Sequence, residues 1–532
     1  MQKLLFTVFL FVLFFSSSGI AQKAKVELGP VFRTQGNTRL AYHIMSDQTG
    51  HYVLFYEEQK GLLAYSPIII PNPPIVPILK KYDNQLKEVW SKEYYADKKK
   101  IKSRGFYKVK NSIIAIMEDE SQKDVSDFYL VPINKEGELG EKQKLVTLNQ
   151  TKKDGIPKVE VLFSRDSSKF CVLLQQDSDR KKSTFEYYLK MFDNDLKGLW
   201  TKKVSTNLAG SQIDILSDLV GDDGAFYFLA KEYESLNNKE TKKSENDKGR
   251  VANYSIKVYR VSEGESTPKE FRMNLGGKFH KGASLSINES GEISCIGMFS
   301  NENKGNTDGI YFIKLDKNGQ VIKSNLAQFT PQQVESLGKK NKENSKSGEK
   351  GLDKYFTFEN QIPLDDGSFL LTAEENFKTT VTTGRTTTIV YHSYDIILMT
   401  ISPDGNIIDV KVIPKRQVIS GIKKFVSNYS VNIKNRGVYF FYNDDEDNLG
   451  KPLSAAAKEI SSLKECIATM TFLDKNGKLT RKALFDKSDS KMLLVPDKFT
   501  KIGENKLFFT AEKPVFFGFG AEDRQFGIIT FE

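Results

Sequence analysis

Four histidines, three cysteines and a few groups of carboxylates are the side chains whose chemistry could matter most, and their spacing assigns them little of it. His43, His51, His280 and His392 show no metal-ligand spacing, and a zinc centre needs three or four ligands around one ion. Cys171, Cys295 and Cys466 each lie inside an apolar run: KFCVLLQ, ISCIGMF and ECIATMTF. An odd count without C-x-x-C spacing argues for buried thiols, against both a disulfide framework and a zinc ribbon. No G-x-S-x-G, H-E-x-x-H or phosphate-loop pattern occurs. The Asp-Lys-Asn-Gly turns at Asp316–Gly319 and Asp474–Gly477 lack the third oxygen ligand and the distal Glu of a calcium loop, so they read as ordinary turns. YNDDEDNLG is different: four carboxylates in one loop repel unless water or a metal ion surrounds them. Asp444, Asp445 and Asp447 are therefore weak calcium candidates. Glu160, Asp214 and Glu359 would suit a glycoside hydrolase or lyase if the fold carried them to one point, but nothing in the sequence does so. No catalytic residue and no cofactor is expected.

Those residues must be positioned by short strands. Helix-period patterns are nearly absent, whereas alternating runs ending in Asp, Asn or Gly turns recur along the 532 residues. One hairpin type returns seven times, beginning with KKYDNQLKEVW, continuing through KMFDNDLKGLW and FIKLDKNGQVI, and ending with TFLDKNGKLT. Gly137, Gly319, Gly405 and Gly477 share one offset in it, where a positive φ closes a short turn. A second tight turn precedes each of these hairpins. Every unit thus reads strand, tight turn, strand, variable loop, strand, tight turn, strand.

This repeat resembles the β-propeller, whose four-stranded antiparallel blades bury their faces only against neighbouring blades. The likeness covers nearly all of the chain after its leader and rests on pattern alone. A WD dipeptide series, a kelch double-glycine series and an Asp-box repeat are all missing, so no subfamily is implied. The resemblance implies an all-β fold, a single propeller with eight blades favoured and seven as the alternative. Residues 491–532 supply three strands, and residues 23–34 (KAKVELGPVFRT) have no partner nearby. The resemblance therefore implies that 23–34 completes the last blade and closes the ring within one domain, 22–532.

The N-terminus, MQK followed by an apolar run to Phe15 and then Gly19-Ile20-Ala21, reads as a signal peptide over 1–21. That run is too short to span a membrane, and no later stretch is long and apolar enough to do so. Export to the periplasm or beyond the cell, as a soluble protein, is the expectation. Net charge is +10 from 78 Lys and Arg against 68 Asp and Glu. Basic residues are scattered among acidic ones, which argues against a nucleic-acid partner.

Nearly all the irregular length falls on one side, in the loops between second and third strands or between units. Function usually sits on loops carried by a rigid scaffold. Two of these loops are apolar: AYSPIIIPNPPIVP, with Tyr65, Ile68, Ile69, Ile70, Ile75 and Val76, and KPVFFGFGAE, with Phe516, Phe517 and Phe519. In a closed ring they would be neighbours, either sealing the seam or presenting a patch for a protein partner or a second copy. The third strand of the first unit should resume near Ile78, beyond the prolines. FKTTVTTGRTTTIVYHS should form a protruding hairpin, and LGKPLSAAAKEISSLKE (Leu449–Glu465) a helix. The functional expectation is a non-catalytic binding or scaffold module. A carbohydrate-active enzyme with its site at a channel mouth, and a structural subunit of a surface assembly, are the alternatives.

Overall fold

A computed structural model describes residues 24–34, 38–58, 75–94, 101–149, 156–176, 184–237, 239–243, 250–338, 356–384, 386–460, 462–486, 491–514 and 522–532. Residues 1–21, expected to be a signal peptide, lie outside these residues. The protein is all-β, and among the described residues no helix is long and apolar enough to cross a membrane.

Four-stranded antiparallel meanders follow one another in chain order. The first comprises Thr38–Asp47, Gly50–Glu58, Ile75–Tyr82 and Glu88–Glu93, and six more repeat its order up to Ala483. The terminal sheet joins Leu493–Leu494, Thr500–Gly503, Lys506–Glu512 and Glu522–Phe531, and Ala24–Thr34 pairs antiparallel with Glu522–Phe531 on its far side. In each sheet the two tight turns lie at one end and the longer connections at the other, which gives a tight-turn face and a loop face.

Turn chemistry explains the regularity. In the turn of Asp316–Gln320 the Asp316 carboxylate accepts the N–H groups of Asn318 and Gln320, at 2.9 and 2.7 Å, while Gly319 takes a φ of +84°. Gly405 does the same at +82°. A Cβ at Gly319 would stand 2.1 Å from the Phe271 ring of the preceding sheet, and one at Gly405 2.5 Å from Phe312. The hairpin glycine therefore serves the turn and the close approach of neighbouring sheets together. Leu86 and Leu196 occupy the same turn position with φ of +62° and +66°.

Second strands are apolar on both faces, because each lies between two neighbouring sheets: Phe226–Tyr233 and Ile293–Ser300 are buried at every residue. A separate apolar cluster fills the space between each sheet and the next. Another joins the first sheet to the terminal one, packing Val53, Phe55, Val76 and Ile78 against Phe508, Phe526 and Ile528. First strands touch first strands in succession, and Thr38–Asp47 also contacts Thr500–Gly503.

Two local expectations are corrected, and one helix is new. Leu449–Glu465 is not helical: a 3-10 turn at Glu446–Asn448 leads into an irregular loop. Its backbone is held from outside, by Asn448 Oδ1 accepting from Lys458 N at 2.7 Å and by the Arg416 carbonyl accepting from Ile460 N at 2.9 Å. The one described α-helix is Pro331–Gly338, which the polar composition of that connection had concealed. Thr330 caps it, its hydroxyl accepting from Gln333 N at 3.2 Å while Gln333 Oε1 accepts from Thr330 N at 2.9 Å. Finally, the third strand of the first sheet begins at Ile75 and includes Pro77. Pro77 lies one residue beyond the last pair with the fourth strand, Ile78 opposite Glu93, so that ladder needs no N–H from it.

Candidate functional site

Four second strands carry a buried carboxylate at the loop face, each facing a cation. Glu118, Glu374, Asp444 and Glu512 are all buried. Arg104 Nε donates to Glu118 at 2.5 Å, Arg524 Nε to Glu512 at 2.8 Å, and Arg481 Nη1 lies 3.4 Å from Asp444. Lys415 pairs with Glu374. A buried charge without such a partner would cost several kcal/mol (on the order of 3–5).

The calcium candidates belong to this series. Asp444 accepts from Asn448 Nδ2 at 2.7 Å as well as facing Arg481, and burial still pushes its carboxyl up to about 6. Asp445 caps the Asp447 N–H at 3.0 Å, and the Lys458 ammonium reaches Asp445 at 3.3 Å and Asp447 at 2.6 Å. Protein donors hold these oxygens, and among the described residues no three His, Cys, Asp or Glu side chains converge for a metal.

Glu160, Asp214 and Glu359 each have a partner of their own. Asp214 accepts from the Tyr233 hydroxyl at 2.8 Å, Glu359 from Thr357 and Asn376 at 3.0 Å each, and Glu160 pairs with Lys158 at 2.9 Å. Asp218, on the neighbouring first strand Ile213–Val220, is the residue the sequence reading missed. Burial, and then the negative charge of Glu160, raise its carboxyl to about 6. Only their position on adjacent first strands reveals the pair. A crevice of about 950 Å³ opens at the tight-turn face between the fifth and later sheets, floored by Ile287, Ile362 and Val431. Of its cations Arg165 pairs with Asp222 at 2.9 Å and Lys314 with Glu292 at 2.6 Å, and Lys434 and Lys501 line it as well.

Histidines and cysteines sit in packed surroundings. His43 Nε2 and His51 Nδ1 both meet Ser46 Oγ, at 2.8 and 2.7 Å, and both rings pack on Phe508 of the terminal sheet. Burial pushes His51 down to about 4 and His43 well below its ordinary range. All three cysteines are buried as free thiols.

At the seam, Tyr65, Ile68, Ile69, Ile70, Phe516, Phe517 and Phe519 lie outside the described residues. Val76 is 4% exposed and packs in the seam cluster, so it offers a partner no surface; Ile75 is 60% exposed.

Among the described residues, the sixth sheet carries a long hairpin at the loop face. Its second and third strands, Phe369–Thr383 and Thr386–Ile401, pair with each other out to Thr383 opposite Thr386, and the first strand is described from Phe356, opposite Glu375. Lys378–Thr383 are exposed at every residue, as is Val381 at 52%. At the foot of this hairpin Phe377 stacks on His392 with ring centroids 4.4 Å apart, Tyr394 stands edge-on to both, and the Arg416 guanidinium lies 4.9 Å from the Tyr394 ring. Beside it, Ile419, Phe425, Ile460, Cys466, Leu493 and Val495 form a small second core from loops of the last three sheets. A free-standing hairpin on such a rigid base can bind but holds no nucleophile or paired acid and base.

Neither a family model nor a curated protein matches the chain. Among solved structures it is similar to a protein of unknown function from Dyadobacter fermentans, at 10% identity over 72% of this chain and 96% of that one, with a TM-score of 0.33. It is similar also to Kuenenia stuttgartiensis hydrazine synthase, at 11% identity over 66% and 74%, TM-score 0.31. Penicillium chrysogenum α-L-arabinanase complexed with arabinobiose matches at 11% identity over 75% and 98%, TM-score 0.29.

Proposed function

We propose that the chain is an exported, eight-bladed β-propeller, closed by its N-terminal strand, that binds a protein partner through its loop face and does no catalysis. The succession of four-stranded sheets, each packed on the next, supports the propeller reading. The observation that carries the function is the sixth-sheet hairpin, exposed on both faces above an aromatic and guanidinium cluster. Loop carboxylates each held by a neighbouring cation suit a stiff platform better than a reaction centre. Ile75 and the apolar loops beside the seam would extend the same surface, and a structural role within a surface assembly is a special case of it.

The carboxylate pair Glu160 and Asp218 supports the second reading, an enzyme acting on carbohydrate. One experiment separates them: crosslinking capture from the native envelope, comparing the intact chain with one in which 378–388 are replaced by a two-residue turn, alongside a screen for glycan cleavage. Capture that depends on the hairpin supports the partner reading. Glycan turnover abolished by Asp218→Asn, with capture unchanged by the hairpin's removal, overturns it.

A further inference from the structure

The crevice at the tight-turn face is bordered by turns that are all described, at 288–292, 364–368, 402–406 and 434–436. The internal segments outside the described residues join strand ends at the loop face instead. Ala24, the first described residue, pairs with Phe531 on the outer edge of the terminal sheet. At about 950 Å³ the crevice has the size of a small-molecule site, about 300–1,000 Å³. Ile362 is buried in its floor, while Ile287, Leu364, Phe369 and Val431 line it half-buried.

The charges around that floor are unevenly matched. Arg165 has Asp222 and Glu289, at 2.9 and 3.4 Å, and Lys314 has Glu292. Asp365 accepts from Asn435 N at 2.7 Å and lies 3.7 Å from the Lys475 ammonium. Lys501 reaches from the terminal sheet to the Asn432 carbonyl, 3.4 Å away, which brings it beside the turn that carries Lys434. Both lysines are exposed, and among the described residues no carboxylate pairs with either ammonium. A small inorganic anion would leave the apolar floor wet, and a neutral apolar ligand would leave the two ammoniums unused. An amphipathic anion satisfies both.

We propose that this crevice binds a small amphipathic carboxylate, its apolar chain on Ile287, Ile362, Phe369 and Val431 and its carboxylate against Lys434 and Lys501. The site lies at the opposite end of the strands from the hairpin, so it goes beyond the partner-binding reading and stands or falls without it.

The test is calorimetric titration of the full chain with hexanoate, octanoate and decanoate, with octanol as the uncharged control. Affinity should tighten about fourfold for each added methylene, the fold-change that about 0.8 kcal/mol gives. Lys434→Glu combined with Lys501→Glu should weaken octanoate about tenfold and octanol less than about twofold, with Tm unchanged because both residues are exposed. Lys434→Glu alone, in an exposed turn, should give part of that loss. Amide exchange at 364–369 and 430–435 should slow on binding. No binding, affinity indifferent to chain length, octanoate unaffected by the double substitution, or slowed exchange confined to other segments each overturns the proposal. So does octanoate binding that appears only when residues 1–23 are removed, which would make this chain's own N-terminus the occupant. Hairpin-dependent capture from the envelope is read separately and is indifferent to either result.

Discussion

Replacing Lys415 with Met tests whether the buried charges of the loop face depend on one another. Lys415 is 1% exposed, and its ammonium pairs with Glu374 while donating to Ser393 Oγ at 2.7 Å and Gln417 Oε1 at 3.1 Å. Glu374 is fully buried and also accepts from Ser427 Oγ at 2.5 Å and Asn376 Nδ2 at 3.0 Å. Burial pushes the Glu374 carboxyl up; the Lys415 charge, with the hydrogen bonds of Lys415, Ser427 and Asn376, outweighs burial and holds it below its ordinary value. A carboxyl depressed in this way contributes stability above the unfolded value, lost as pH falls through the folded one.

Without the ammonium, burial is no longer outweighed, and Glu374 must either stay charged alone or take a proton. Protonation sets the ceiling. From an ordinary value of 4.5 to pH 7 it costs about 3 kcal/mol at 1.36 kcal/mol per pH unit, and at pH 5 under about 1 kcal/mol. The two proteins should therefore differ by about 3 kcal/mol in urea unfolding at pH 7 and by under about 1 kcal/mol at pH 5. For a chain of 532 residues the unfolding entropy is about 1 kcal/mol/K, so the gap in Tm is about 3 °C at pH 7. Glu374→Gln combined with Lys415→Met should recover most of it. An equal gap at both pH values, or a double variant as unstable as the single one, refutes the reasoning.

The His43–Ser46–His51 contact predicts acid lability at the seam. His51 is held neutral to about pH 4 by burial, against 6.5 unfolded, so the unfolded state binds more protons and about 3 kcal/mol is lost as pH falls from 6.5 to 4. His51→Gln should flatten that slope in urea titrations, although Asp47 and Asp83 favour, and Lys506 opposes, the charged ring; an unchanged slope sinks the assignment. Deleting 24–34 removes the strand paired with Glu522–Phe531, the contact of Phe32 with Phe526 at 4.8 Å, and the Arg524 bond to Thr34 at 2.5 Å. Phe32, Leu28 and Val26 together are worth about 5 kcal/mol by burial, so calorimetry should show Tm lowered by about 5 °C, and no change would refute a structural role for that strand.

Local chemistry was legible in the sequence, as was one long-range pairing, that of Ala24–Thr34 with Glu522–Phe531, because each end lacked a strand the other could supply; side-chain and backbone partners from distant segments were not. Gly319 and Gly405 announced their turns because only a residue tolerant of positive φ closes them, whereas Leu86 and Leu196 hold the same conformation without any such mark. Thr330-Pro-Gln-Gln spelled a helix start, but its polar composition hid it. Leu449–Glu465 had the composition of a helix, yet its backbone partners, Asn448 and Arg416, come from outside that segment. The acidic run at Asp444 gave no sign of its cation, because Arg481 is 37 residues away in sequence. The sixth-sheet hairpin combines both cases. Its alternating threonines show two strands continuing outward, but the cluster at its foot brings Arg416 to Tyr394 from a later segment, which no local pattern shows. The binding reading therefore hangs on an exposed hairpin standing on that cluster, which is why replacing 378–388 is the sharpest way to challenge it.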